Sequence, residues 1–139
     1  MISAMTFAQV NWLSFEALDS ALNTEKKPVF IEFTTTWCTY CKKMDQEVFT
    51  NEEIASILNQ DFYAVRFDAE SDQVVHFDGA EFIRKPNSKN HEIAMTLAMR
   101  EGQFTPPVLI FLDDEFQVRE RIFSYQSRKR LLRKLKKHR

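Results

Sequence analysis

Val29-Phe30-Ile31-Glu32-Phe33, followed at once by Thr34-Thr35-Thr36 and then Trp37-Cys38-Thr39-Tyr40-Cys41-Lys42, is the stretch on which the reading of this chain turns. The first five residues form a short apolar, β-rich run without alternation, the pattern of a strand covered on both faces and therefore central in a sheet. From Cys38 onward the apolar positions Cys41, Met44 and Val48 recur at helical spacing. The chain's 2 cysteines thus stand as C-x-x-C between a buried strand and a helix. A sulfur at a helix N-terminus faces unpaired backbone N–H groups and the positive end of the dipole, which favour thiolate over thiol. Cys38 is accordingly the candidate nucleophile. Cys41, nearly one turn on, is placed to resolve a mixed disulfide formed at Cys38.

Other uses of a C-x-x-C pair have to be weighed. Half of a zinc site needs two more ligands, but His76, His91 and His138 are scattered and without pair spacing. His91-Glu92-Ile93-Ala94-Met95 begins like a zinc-protease helix, yet Met95 stands where the second histidine is required. No metal or organic cofactor is called for. A structural disulfide stays open, although so short a loop restrains little of the unfolded chain. So does a binding module with idle cysteines.

Glu32 is a second clue, because a carboxylate in a strand buried on both faces is costly unless it works or is paired. Desolvation would raise its pKa and let it take a proton from Cys41 during resolution. A strand-end glutamate reaching solvent, or Lys42, is the alternative. A third clue is Thr105-Pro106-Pro107 before the run Val108 to Phe111. Proline is excluded from central strands, so this pair marks a loop meeting the sheet, where a cis bond competes with an ordinary trans turn.

Outward from that core, Ser14 caps a surface helix with Phe15, Leu18 and Leu22 in period. Thr50-Asn51-Glu52-Glu53 is a capping-box pattern opening Ile54 to Leu58. Phe62 to Phe67 reads as a second strand, and Val74 to Ile83 as a hairpin turning at Asp78-Gly79. A helix is expected from His91 to Arg100, with Gly102 as its C-cap. Val108 to Leu112 pairs with Gln117 to Phe123 across an Asp113-Asp114 turn, and a basic helix over 127–138 ends the chain. The order implies an α/β fold with a mixed sheet flanked by helices.

At 139 residues the chain fits one domain, and its 44% hydrophobic and 28% charged residues are those of a globular protein. No run approaches the ~20 apolar residues of a membrane span. Net charge is −1, but residues 128–139 hold 8 of the 19 Lys and Arg and no acid, leaving a surplus of nine negative charges elsewhere. Leu131, Leu132 and Leu135 share one face of that tail. A leucine-docked helix with a solvated basic face is expected, with attachment to nucleic acid or an anionic membrane as the alternative. Residues 1–12 read as an N-terminal extension. Ile2 to Gln9 reads like the tail of a signal peptide without its basic region, against a loose N-terminal segment, so export to a bacterial periplasm and a cytoplasmic location both stay open here.

Taken together, these segments resemble the thioredoxin superfamily from about Phe15 to the C-terminus. Trp37-Cys38-Thr39-Tyr40-Cys41-Lys42 is similar to its W-C-x-x-C-K motif, and Glu32 falls at the position of its buried acid, usually Asp and sometimes Glu as in protein disulfide isomerases. The resemblance implies a thioredoxin-like domain over 13–139 that acts on protein disulfides and is recycled by a further redox partner. It also implies that Pro106 is the family's cis-proline, with Thr105 before it contacting substrate beside Trp37, Thr39 and Tyr40. A monomer that binds no nucleic acid is expected. The region 72–90, with its hairpin, is an insertion relative to a minimal thioredoxin. Asn11 to Glu16, Phe77-Asp78-Gly79, His91 to Leu97 and Tyr125-Gln126 resemble exported bacterial thioredoxin-related proteins of Bacteroidetes type. Thr39-Tyr40 replaces thioredoxin's Gly-Pro, which leaves the redox poise and the choice among reductase, oxidase and isomerase open.

Overall fold

The computed structural model describes residues 8–139; of the stretch read as a signal-peptide tail, all but Ala8 and Gln9 lies outside the described residues. Helix α1 (Phe15–Thr24) starts at Ser14, whose side chain accepts a hydrogen bond from the Ala17 N–H. Strand β1 (Val29–Thr34) follows, then α2 (Thr39–Glu47), α3 (Glu52–Asp61) and β2 (Tyr63–Asp68). A hairpin of β3 (Val75–Phe77) and β4 (Ala80–Phe82) precedes α4 (Glu92–Ala98). Strands β5 (Val108–Leu112) and β6 (Val118–Ile122) and helix α5 (Arg128–His138) complete the chain.

Four strands form one mixed sheet in the order β2-β1-β5-β6, with β1 parallel to β2 and antiparallel to β5, and β5 antiparallel to β6. The non-alternating runs of β1, apolar but for Glu32 and Thr34, and of β5 take the two central places and bury every residue except Thr34. Alternate side chains of these strands feed two cores. Phe30, Leu109 and Phe111 join Met44, Ile54, Leu58, Leu131 and Leu135 on one face. Val29, Ile31, Phe33 and Ile110 meet Phe15, Leu18, Ile93 and Ala94 on the other.

The hairpin turns at Asp78 (φ 51°) and Gly79 (φ 77°), the two positive-φ positions that a two-residue turn of this hand demands. It makes a separate two-stranded sheet, anchored where Phe77 meets Phe15 edge-on at 5.4 Å. The tail helix docks through Leu131 and Leu135, both fully buried, as its leucine face predicts.

Three local readings shift. Helix α4 ends at Ala98, and Gly102 is not its cap: Glu101 (φ 53°) and Gly102 (φ 77°) instead form a tight turn closed by hydrogen bonds between Arg100 and Gln103. Asn51 rather than Thr50 caps α3, accepting from the Ile54 N–H, because the Thr50 hydroxyl is spent on the Gln46 carbonyl at the end of α2. Finally, residues 8–12 lie against the domain: Val10 is buried in the α3-side core and Trp12 packs beside Phe30 and Phe49.

Candidate active site

Cys38 is the N-cap of α2, with extended backbone at φ −74° and ψ 108°. Its sulfur therefore sits where the first helical N–H groups point, and it accepts a hydrogen bond from the Cys41 N–H at 3.1 Å. The two sulfurs are joined as a disulfide with a Cα–Cα distance of 5.3 Å. Each cysteine is only 3% exposed, whereas Trp37 before them and Tyr40 between them are 54% and 59% exposed. The pair thus lies at the floor of a surface flanked by two aromatic rings.

Each ring is held by neighbours. Trp37 Nε1 donates to Glu70 Oε2 at 3.0 Å, and Lys89 both bridges to Glu70 and sits 4.9 Å from the Trp37 ring centre. Tyr40 leans on Tyr125, 6.0 Å between ring centres, and Tyr125 is covered in turn by Lys43 at 5.0 Å. Thr39 is exposed on the first turn of α2.

Glu32 does not reach solvent and does not pair with Lys42. It is fully buried on β1, and its Oε1 accepts from Nε of Arg66, its register partner on β2, at 2.7 Å. The Arg66 guanidinium also pairs with Asp45 of α2 and stacks on Trp12 at 4.2 Å. Glu32 Oε2 is buried with no hydrogen-bond partner among the described residues. Burial pushes its pKa up to about 7, against the pull of Arg66 and with a further push from Asp45.

The proline loop differs from expectation by one residue. The cis bond is the one between Pro106 and Pro107, so Pro107 is the cis-proline and Pro106 the residue that precedes it. Two consecutive prolines leave the assignment to their spacing from the strand, and it is the buried Pro107 that adjoins Val108. Thr105, exposed, lies one place further back than the resemblance implies. Since neither proline has an N–H, this loop offers a passing peptide backbone carbonyls but no donor at those two positions.

Residues 15–139 match the thioredoxin-like domain family. The chain belongs to that family. Among relatives of this thioredoxin-like chain, the thiol:disulfide interchange protein DsbD of Campylobacter jejuni is 26% identical over 111 residues, covering 80% of this chain and 16% of DsbD. Human spermatogenesis-associated protein 20 is 40% identical over 63 residues, covering 44% of this chain and 8% of that protein. The chain spans about a sixth or less of the length of these curated relatives. A solved putative disulphide-isomerase from Bacteroides thetaiotaomicron has the same fold, with a TM-score of 0.66 at 23% identity over 94% of this chain and 93% of that one. The C-terminal domain of Neisseria meningitidis DsbD in its reduced form superposes with a TM-score of 0.57 at 19% identity, covering 92% and 99%.

Arg66, Trp12, Asp45, Glu70 and Tyr125 escaped the sequence reading as members of this thioredoxin-like site. One signal was available: Arg66 interrupts the apolar run of its strand just as Glu32 interrupts its own, and two lone charges on neighbouring buried strands point to a pair.

Proposed function

We propose that this protein exchanges disulfides with other proteins through Cys38 and Cys41. In the reducing direction the Cys38 thiolate attacks one sulfur of a substrate disulfide, the substrate S–S bond breaks, and its other sulfur leaves as a thiolate that takes up a proton. Cys41 then gives its proton to the Glu32 carboxylate and attacks Sγ of Cys38. The Cys38–Cys41 bond forms as the second substrate sulfur leaves, and two electrons have passed from the protein dithiol to the substrate. Run backwards, the same steps oxidise a substrate dithiol, and a further dithiol or disulfide partner restores the starting state.

The observation that carries this reading is the position of Cys38 as the cap of α2 with its sulfur bonded to a helix N–H, the setting that stabilises a thiolate. A carboxyl that titrates near neutrality suits a proton acceptor at the resolving step. Trp37, Thr39 and Tyr40 beside the sulfurs, and Thr105 and Pro106 on the proline loop, are the residues assigned to hold the substrate chain.

The test is reduction of insulin by the reduced protein with a small thiol as electron source. The wild type is expected to accelerate it and Cys38→Ser to be inert. Equal turnover in the two, or a Cys38 thiol that titrates like an unperturbed cysteine with no exchange, would overturn the reading in favour of a binding module.

A further inference from the structure

The cations of α5 are not spread evenly between paired and unpaired. In its second half, Lys134 and Lys137 bridge to Glu120, Lys136 to Glu53 and Arg139 to Asp61. In its first half, Lys129, Arg130 and Arg133 are exposed and have no carboxylate within 4.0 Å among the described residues. Helical spacing puts Lys129 and Arg133 one turn apart on the solvent side, away from the buried Leu131 and Leu135.

That placement works against the helix. Arg128, Lys129 and Arg130 form a first turn with no acid in it, at the end where the dipole already carries positive charge. Like charges at i and i+4 add repulsion. Local stability gives no reason for this arrangement, but its position does. The first turn of α5 meets α2 at its C-terminal end, the end away from Cys38: Arg128 Nε donates to the Glu47 carbonyl. Two residues before α5's N-cap, Tyr125 leans on Tyr40 inside the C-x-x-C motif and carries Lys43 over its ring. Lys42 and Lys43 are exposed on α2 and likewise lack a carboxylate partner among the described residues. Of the two acids on α2, Glu47 lies 3.5 Å from the Tyr125 hydroxyl and Asp45 pairs with Arg66. Beside Trp37, Lys89 is matched by Glu70.

We infer that the unpaired cations Lys42, Lys43, Lys129, Arg130 and Arg133 form a ridge that recruits protein substrates carrying acidic segments beside the reacting disulfide. The inference rests on the exchange activity proposed above and names the substrate class that it serves. A field of one sign beside a reactive group raises the encounter rate of oppositely charged partners, and salt screens it. Leu131 and Leu135 are committed to the core, so the helix has no apolar face left to insert into a lipid surface.

Two peptides, each dimerised through a single cysteine and differing only in flanking Glu or flanking Lys residues, supply the test. At about 0.01 M ionic strength the reduced protein should reduce the Glu peptide at least roughly tenfold faster than the Lys peptide, and the two should converge near 1 M salt. Replacing Lys129, Arg130 and Arg133 together by Gln should remove most of the preference, and replacing Lys42 and Lys43 as well should abolish it. Replacing the paired Lys134, Lys136 and Lys137 by Gln should leave most of it. Equal rates for the two peptides in the wild type, with both reduced, would overturn the ridge and leave exchange intact. Loss of the preference to the same degree in both triple variants would also overturn it, since net charge alone would then suffice. Failure to reduce either peptide would remove the exchange activity itself.

Discussion

Two glutamates, one on each side of the sheet's centre, are held in opposite ways. Glu32 on β1 has one oxygen bonded to Arg66 and the other bonded to nothing among the described residues, and burial wins: its pKa rises to about 7. Glu120 on β6 also feels desolvation, but Lys134 at 2.6 Å and His138 at 2.8 Å occupy both of its oxygens and hold its carboxyl below the ordinary range. An under-served carboxylate in a core is ready to change protonation state; a fully served one clamps a helix. The first suits the proton transfer proposed for the resolving step, and the second ties α5 to the sheet.

The comparison breaks hardest at Arg66. Arg66→Met leaves Glu32 buried with no cation, which should cost roughly 3–5 kcal/mol at pH 9 and far less at pH 5, where the acid is protonated. Urea melts at the two pH values check this. In the wild type, a carboxyl whose folded pKa is raised binds its proton more tightly than in the unfolded chain, so stability is fullest below pH 4.5 and falls as pH climbs to about 7. The expected loss is about 3 kcal/mol, and Glu32→Gln should flatten that slope while slowing resolution by about a hundredfold in stopped-flow measurements. Glu120 has the reverse sign: its lowered pKa stabilises the fold at neutral pH, and the contribution disappears as pH falls through the folded value. Glu120→Gln should cost about 1 kcal/mol near pH 7 without changing the exchange rate.

The parts legible in the sequence were those governed by local chemistry. The non-alternating run Val29 to Phe33 marks β1 as central, and the only cysteine pair, at a strand-to-helix junction, marks the site. Asp78-Gly79 announced its turn because few other dipeptides take two positive φ values in succession. What escaped depends on lateral register or on choices among equals. Glu32 meets Arg66 only because β1 and β2 pair in parallel with those two residues opposed. Lys42, nearer in sequence, faces solvent instead. Pro106 and Pro107 are chemically alike as candidates for a cis bond, and it is Pro107, next to β5, that takes it; Thr50 and Asn51 are both good caps, and the Thr50 hydroxyl is spent on the Gln46 carbonyl.

The segment ahead of α1 has an effect beyond the site. Strand β2 would present an open edge, but Leu13 bridges to Val65 in parallel, with its N–H donated to the Ala64 carbonyl at 2.7 Å. At the other margin, β6 carries Arg119, Glu120 and Arg121 in succession beside an irregularity at Phe111/Leu112. An uncovered, flat, apolar margin invites neighbouring molecules to add strands and grow into fibres. Here Leu13 bridges one margin of the four-stranded sheet and the other is charged and irregular, so neither margin is the flat, apolar ladder on which a second copy adds strands.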